Sequence, residues 1–351
     1  MKKGFEIVKP SQVVEDLKRH RDTYNERGKY LGFPSLNDLY TMQLGTCTDW
    51  TGFPRSGKTQ VLMELLLNTS IYYGWKHLIY FPDVGSTVEI IADLLHKKTA
   101  KTFNPKYQNV IDDKTIYRET EWILEHFKVL TKREMKAKLS PFEFWDMAVE
   151  MKKEKELHTA SIDSWKDMSH PYAEYGGYAM YLEAVLPYRN KIAEDNNLHL
   201  HTIIHPKLTE KSKDGSRKPP TPYDLKGGSE WFNSGRNMIT VHREFLDGVS
   251  ADIAVHKIKP RSSGNVGMTS LQFDIERFVY YTLEQSVGGV IRQYAKPSKP
   301  TPEETPQETR KKPVNPSISF ENNINNRTES KASIIKTDWL DDLDFEEEFK
   351  I

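Results

Sequence analysis

The residues Thr51-Gly52-Phe53-Pro54-Arg55-Ser56-Gly57-Lys58-Thr59-Gln60 spell G-x-x-x-x-G-K-[ST] and run into Val61, Leu62, Leu65 and Leu66 at helical spacing. No other feature narrows the fold of this chain as far. The glycines let the backbone curl so that successive N–H groups point inward at anionic oxygens. The helix that follows adds unpaired N–H groups and the positive end of its dipole. Residues 52–60 are therefore the expected cradle for the phosphates of a nucleotide. Lys58 is placed to reach the β- and γ-phosphates, and the Thr59 hydroxyl to ligate Mg²⁺. The segment before the loop, LGTCTDW (44–50), is short and polar, where a buried parallel strand is ordinarily rich in Val and Ile.

Around the loop, short apolar runs alternate with helical stretches from residue 31 to 284, the pattern of a layered βα domain. Strands are expected at 76–81, 159–163, 198–205, 236–243, 251–258 and 269–274, the late ones partly antiparallel. Helices are expected at 57–73, 86–97, 118–127, 141–154 and 176–196. Residues 11–28 read as a polar leader helix with a thin apolar edge, either solvated or packed on a neighbouring subunit. The domain division is then a leader at 1–30, an α/β domain at 31–294, a Pro-rich polar linker at 295–336 and an acidic peptide at 337–351. Six prolines between Lys296 and Pro316, followed by SISFENNINNRTESK, leave the linker too polar to offset chain entropy, so it is expected to be disordered.

Composition removes several classes. No apolar run approaches the ~20 residues that span a bilayer, and the basic first residues lack the apolar stretch of a secretion signal. One cysteine, Cys47, excludes an internal disulfide framework and a cysteine-based zinc site, and fits a reducing cytoplasm. The formal charge of zero hides an asymmetry, because residues 337–351 hold seven acids and one Lys and leave the remainder at +6. A modestly basic body with an acidic tail is compatible with nucleic-acid binding without requiring it.

Several further stretches fall into one order with the loop: LGFPSLNDLY (31–40), LIYFPDVGSTVEIIADLL (78–95), SIDSW (161–165), HTIIHPKL (201–208), TPYDLKGGSEWFNSGRNMITVHRE (221–244) and VHKIKPRSSGNVG (255–267). This succession resembles the ATPase domain of DnaB-type replicative helicases, in their Twinkle-like branch, over roughly residues 30–285. The resemblance implies a RecA-like core: a mostly parallel sheet flanked by helices, with an antiparallel extension at one edge. It also implies ATP and Mg²⁺ as ligands, single-stranded DNA as track, and a homo-oligomeric ring, a hexamer in the family. No primase module precedes the ATPase motifs, an arrangement expected of a phage or mobile-element replication module acting in the (host) cytoplasm.

Position by position, the resemblance makes Asp163 the acid that joins Thr59 at magnesium. It puts Asp83 where the family carries a Glu that polarises the attacking water, one methylene shorter here. An Asp in a Pro-Asp-x-Gly turn is also common for structural reasons. His205 matches the γ-phosphate sensor, whereas His199 and His201 read as packed strand residues. The long basic loop after His205 would grip single-stranded DNA through Lys207, Lys211, Lys213, Arg217, Lys218 and Lys226. The family completes each site from the adjacent protomer with K-x-R. The matching positions here are Lys257 and Lys259, with Arg261 two residues on, so the Arg fork is displaced.

The peptide WLDDLDFEEEFKI joins Trp339, Leu340, Leu343, Phe345 and Phe349 to dense negative charge. It reads either as a solubilising tail or as a docking peptide for a replication partner: a polymerase, a primase or a single-strand-binding protein. Two other functions stay open beside the helicase. One is a RecA/RadA-type or KaiC-like ATPase. The other is a nucleotide-regulated DNA-binding or assembly factor that hydrolyses poorly, since Asp83 and Lys259 both depart from the family pattern.

Overall fold

The computed structural model describes residues 9–22, 28–132, 134, 137–207, 218–243 and 249–282, with the backbone of 286–287 and 290–291. The expected linker and acidic peptide, and the loop cations Lys211, Lys213 and Arg217, lie outside the described residues. The helices are α1 (Pro10–Asp22), α2 (Pro34–Asn37), α3 (Lys58–Tyr73), α4 (Thr87–Thr99), α5 (Asp113–His126), α6 (Pro141–Glu154), α7 (Tyr178–Asp195) and α8 (Gly228–Ser234). The strands of the main sheet are β1 (Cys47–Thr51), β2 (His77–Tyr80), β3 (Phe127–Val129), β4 (Thr159–Asp163), β5 (His199–Ile204), β6 (Asn237–His242), β7 (Ser250–Lys257), β8 (Gly267–Asp274) and β9 (Val279–Tyr281).

Their order is β3-β2-β4-β5-β1-β6-β7-β8-β9. The first six strands run parallel and the last three add an antiparallel meander at one edge. Because β1 leads through α3 to the distant β2, the chain reverses its direction of winding beside β1. Open α/β sheets bind ligands at such a switch point, beyond the carboxyl ends of the strands.

Local sequence sets the helix boundaries. Ser86 and Glu89 form a reciprocal capping box at α4, Ser140 and Glu143 do the same at α6 with Pro141 in the first turn, and Asp112 caps α5. That cap starts α5 five residues earlier than its apolar periodicity indicates. The strands alternate between two cores. Ile79 packs on the face covered by α3 and α4, while Leu78 and Tyr80 pack on the face covered by α6 and α7.

The polar strand β1 lies at the centre of the sheet with all five residues buried. Its polarity is matched side chain by side chain. Asp49 accepts two hydrogen bonds from the buried Arg189 guanidinium of α7, at 2.5 and 3.0 Å. The Thr48 hydroxyl lies 2.8 Å from His199 Nε2, whose Nδ1–H donates to the Gln43 carbonyl at 2.6 Å. Trp50 Nε1 donates to His201 Nδ1 at 3.2 Å. A buried polar group is tolerated when it is hydrogen-bonded, and each of these is. Both strand histidines are fully buried, as packed residues should be.

Candidate nucleotide site

Five parallel strands deliver their carboxyl ends to one edge, and each carries a polar group there. β1 passes into the loop Gly52–Thr59, β4 ends on Asp163, and β5 is followed by His205. Asp83 comes three residues after β2, and Arg243 follows β6. Two glycines of the loop have steric reasons. A Cβ on Gly52 would lie 2.1 Å from the Val241 carbonyl oxygen, and Gly57 holds φ at +92° directly before α3. Arg55 also sits at positive φ, which completes the tight curl. Lys58 folds back over the loop, its ammonium donating to the Phe53 carbonyl at 2.9 Å. Gln60 in turn donates to Asp93 of α4 at 2.6 Å, tying the start of α3 to its neighbour.

The Thr59 hydroxyl donates to Asp163 Oδ2 at 2.5 Å. Burial pushes the Asp163 carboxyl up to about 6, with the Thr59 hydrogen bond and the Lys58 charge pulling the other way. Burial likewise lowers the Lys58 ammonium to about 8, against the pull of Asp163 and Asp83. A hydroxyl and a carboxylate face to face beside a phosphate loop are hard oxygen donors of the kind Mg²⁺ takes, with its other positions left to water and phosphate. These residues fit the ion, and an ion there would supply charge neutralisation for phosphate oxygens.

Asp83, Asp163 and His205 form a second layer, their candidate ligand atoms all lying within 4.8 Å of one another. His205 Nε2 is 3.3 Å from Asp83 Oδ2. Burial and the nearby Lys58 charge lower the imidazole below its ordinary value, with Asp83 partly offsetting them. The neutral ring therefore donates from Nε2 to the carboxylate and presents a bare Nδ1. Burial alone would raise Asp83, but the Lys166 hydrogen bond and charge, with His205, hold it below the usual carboxylate range.

Together these groups border a cleft of about 520 Å³ whose outer wall comes from the antiparallel meander: Phe273, Phe278 and Tyr280. Sequence reasoning missed this wall, and it missed Arg243. The Arg243 guanidinium donates to the Tyr280 hydroxyl at 3.2 Å and lies 5.6 Å from the Phe273 ring. A signal existed, since MITVHR is an apolar run ending on a cation where the parallel strands end. Lys166 was missed as well. Its ammonium donates to Asp83 Oδ1 at 2.9 Å from the turn directly after Asp163.

The remaining expected site residues do not join this group. Lys257 donates to the Phe232 and Asn233 carbonyls at the end of α8 and lies 5.0 Å from the Phe232 ring. β7 runs antiparallel to β6, so Lys257 pairs with Met238, four residues before His242, where β6 ends beside the loop. At ~3.3 Å per residue that is roughly 13 Å down the sheet. Lys259 and Arg261 continue away from the loop, both exposed. Among the loop cations, Lys207, Lys218 and Lys226 are exposed, and Lys226 lies 4.6 Å from the Tyr178 ring.

A central strand feeding a phosphate loop, an acid on a nearby strand and a histidine on the strand between them define a RecA-like P-loop protein. No protein-family model matches the sequence. The fold resembles the solved ATPase domain of a DnaB-like helicase, with a TM-score of 0.64 at 14% identity over 80% of this chain and 100% of that one. It also resembles a DnaB-like replicative helicase described with its interactions with primase, at 0.59 and 14% over 80% and 68%. In sequence the chain is 22% identical to the Twinkle homolog protein, chloroplastic/mitochondrial, of Arabidopsis thaliana over 262 residues. That match spans 71% of this chain and 36% of the relative. The fold is thus that of DnaB-type ATPase domains, with sequence similarity to the Twinkle branch. No helix among the described residues is long and apolar enough to cross a membrane.

Proposed function

We propose that this protein hydrolyses ATP with Mg²⁺ and uses the cycle to move along single-stranded DNA as a ring, separating duplex strands. The observation that carries this reading is the split of the catalytic groups between two ends of one sheet. Lys58, Thr59, Asp163, Asp83 and His205 gather at the loop end. The cations Lys257, Lys259 and Arg261 lie beyond reach of the same loop. They can meet a triphosphate when a second copy presents its loop to them, as a closed ring of copies does.

In this reading the loop N–H groups and Lys58 hold the phosphates, Thr59 and Asp163 hold the magnesium, and Asp83 orients and deprotonates the attacking water. Arg243, Phe273 and Tyr280 enclose the remainder of the nucleotide. His205 joins Asp83 to the strand-facing loop after it, and the acidic peptide 337–351 recruits a replication partner. A nucleotide-regulated assembly factor is the second reading, favoured by Asp83 being engaged by Lys166.

The test is unwinding of a forked duplex with and without ATP, beside Lys58→Ala. The proposal expects ATP-dependent unwinding that Lys58→Ala abolishes; unwinding that survives Lys58→Ala refutes it. DNA binding without unwinding supports the second reading. Electron microscopy with ATP and single-stranded DNA should show rings rather than filaments.

A further inference from the structure

A second cavity, of about 440 Å³, opens beside the nucleotide cleft, across His205. Its walls come from the segment after β4 and the start of α7: Trp165, Met168, His170, Tyr172 and Tyr178, with Lys166 and Lys226 at the edge. The rings hold one another in place. Trp165 packs edge-on against Trp231 at 5.0 Å, His170 stacks on Tyr172 at 5.1 Å, and Tyr172 meets Tyr178 at 5.2 Å. The Tyr178 hydroxyl donates to the Lys226 carbonyl at 3.0 Å, fixing that wall to the loop before α8. Half-buried rings bordered by exposed ammonium groups match the chemistry of single-stranded nucleic acid, whose bases stack and whose phosphates seek cations.

Lys166 and His205 line this groove, and both also touch Asp83 of the nucleotide cleft. The Lys166 side chain is 55% exposed, and its ammonium lies 2.9 Å from Asp83 and 3.3 Å from Asp167. A long side chain with an exposed, strongly hydrated head can exchange such partners readily. We propose that Lys166 is a positioning residue that ties Asp83 to strand occupancy: with the groove empty it pins the carboxylate, and a bound strand's phosphate draws it away. Released from Lys166, Asp83 keeps its hydrogen bond from His205 and turns its second oxygen to the water. The inference rests on the proposed role of Asp83 and adds what governs it.

The full chain carrying Lys166→Gln, Lys166→Arg, Tyr178→Ala or Asp83→Asn tests it. ATP hydrolysis is measured without nucleic acid and with oligo-dT or oligo-U, and binding of the same labelled oligomers by fluorescence anisotropy. Lys166→Gln should raise the strand-free kcat severalfold with KM little changed, and remove most of the stimulation by strand. Lys166→Arg should restore both, and Tyr178→Ala should weaken binding. Stimulation by oligo-dT alone identifies DNA as the occupant, and stimulation by both identifies any single strand. A strand-free kcat that Lys166→Gln leaves unchanged, with stimulation intact, overturns the linkage alone. Hydrolysis at the wild-type rate in Asp83→Asn overturns the role of Asp83 on which the linkage rests.

Discussion

At the scale of single residues, the interior of the sheet is sensitive to acid. Burial lowers the His199 imidazole to about 4, from an ordinary value of 6.5. Its folded value lies below the unfolded one, so the unfolded chain takes up the proton first. Stability is therefore intact above about 6.5 and declines as pH falls toward 4, by on the order of 3 kcal/mol. Urea midpoints measured across that window should fall steadily for the wild type. In His199→Asn the slope should be shallower, at the cost of lower stability at neutral pH. Equal slopes would show that His199 does not set it. None of this was legible in the heptapeptide LGTCTDW. The partners that make its polar residues tolerable, Arg189 and His199, lie 140 and 151 residues away from Asp49 and Thr48.

At the scale of elements, the meander β7–β9 is fastened to the phosphate-loop helix by a buried ion pair. Lys97 of α4 donates to Glu64 of α3 at 3.2 Å, and Glu64 accepts the Tyr280 N–H at 2.9 Å. The Lys97 ammonium lies 5.3 Å from the rings of both Phe278 and Tyr280. Lys97→Met keeps the apolar stem and removes the charge, leaving Glu64 buried without its counter-ion. Such a change costs about 3 kcal/mol. It should also loosen Tyr280 and weaken nucleotide binding. Calorimetry with a non-hydrolysable ATP analogue checks the affinity, and a variant that binds as tightly as the wild type would show that the wall stands without this pair. Strands β2, β4, β5 and β6 were legible because β-branched and apolar residues fill them between clear breaks. β3 was hidden because its three residues continue α5 without a breaker, and β9 because Val279-Tyr280-Tyr281 is too short to show a period. The short helix α8, seven residues opening on Gly228, was hidden by its glycines.

At the scale of the whole molecule, the site was legible in its covalent part and illegible in its assembled part. Gly52, Gly57, Lys58 and Thr59 are neighbours in sequence, so a pattern finds them. Arg243, Tyr280 and Lys166 reach the cleft through strand order, which no local pattern encodes. The two-ended arrangement predicts complementation between copies. Lys58→Ala and Arg261→Ala protomers should each be nearly inactive by themselves. Mixed and reassembled, they should regain part of the ATPase rate, because some interfaces pair an intact loop with an intact Arg261. A mixture no more active than its parts would place Arg261 outside the reaction.

The fastening of the last strands onto the first helix of the site also has a consequence for biosynthesis. Thr59 leaves the ribosome some 220 residues before Tyr280. At 5–20 residues per second, that interval is on the order of ten seconds or more. Through it the phosphate loop exists without its aromatic wall, and the Glu64 carboxylate lacks the Tyr280 N–H. A nascent chain stopped short of residue 280 thus carries every residue of the nucleotide motif and an unfinished binding cleft. Acquisition of nucleotide should be among the last events of its maturation.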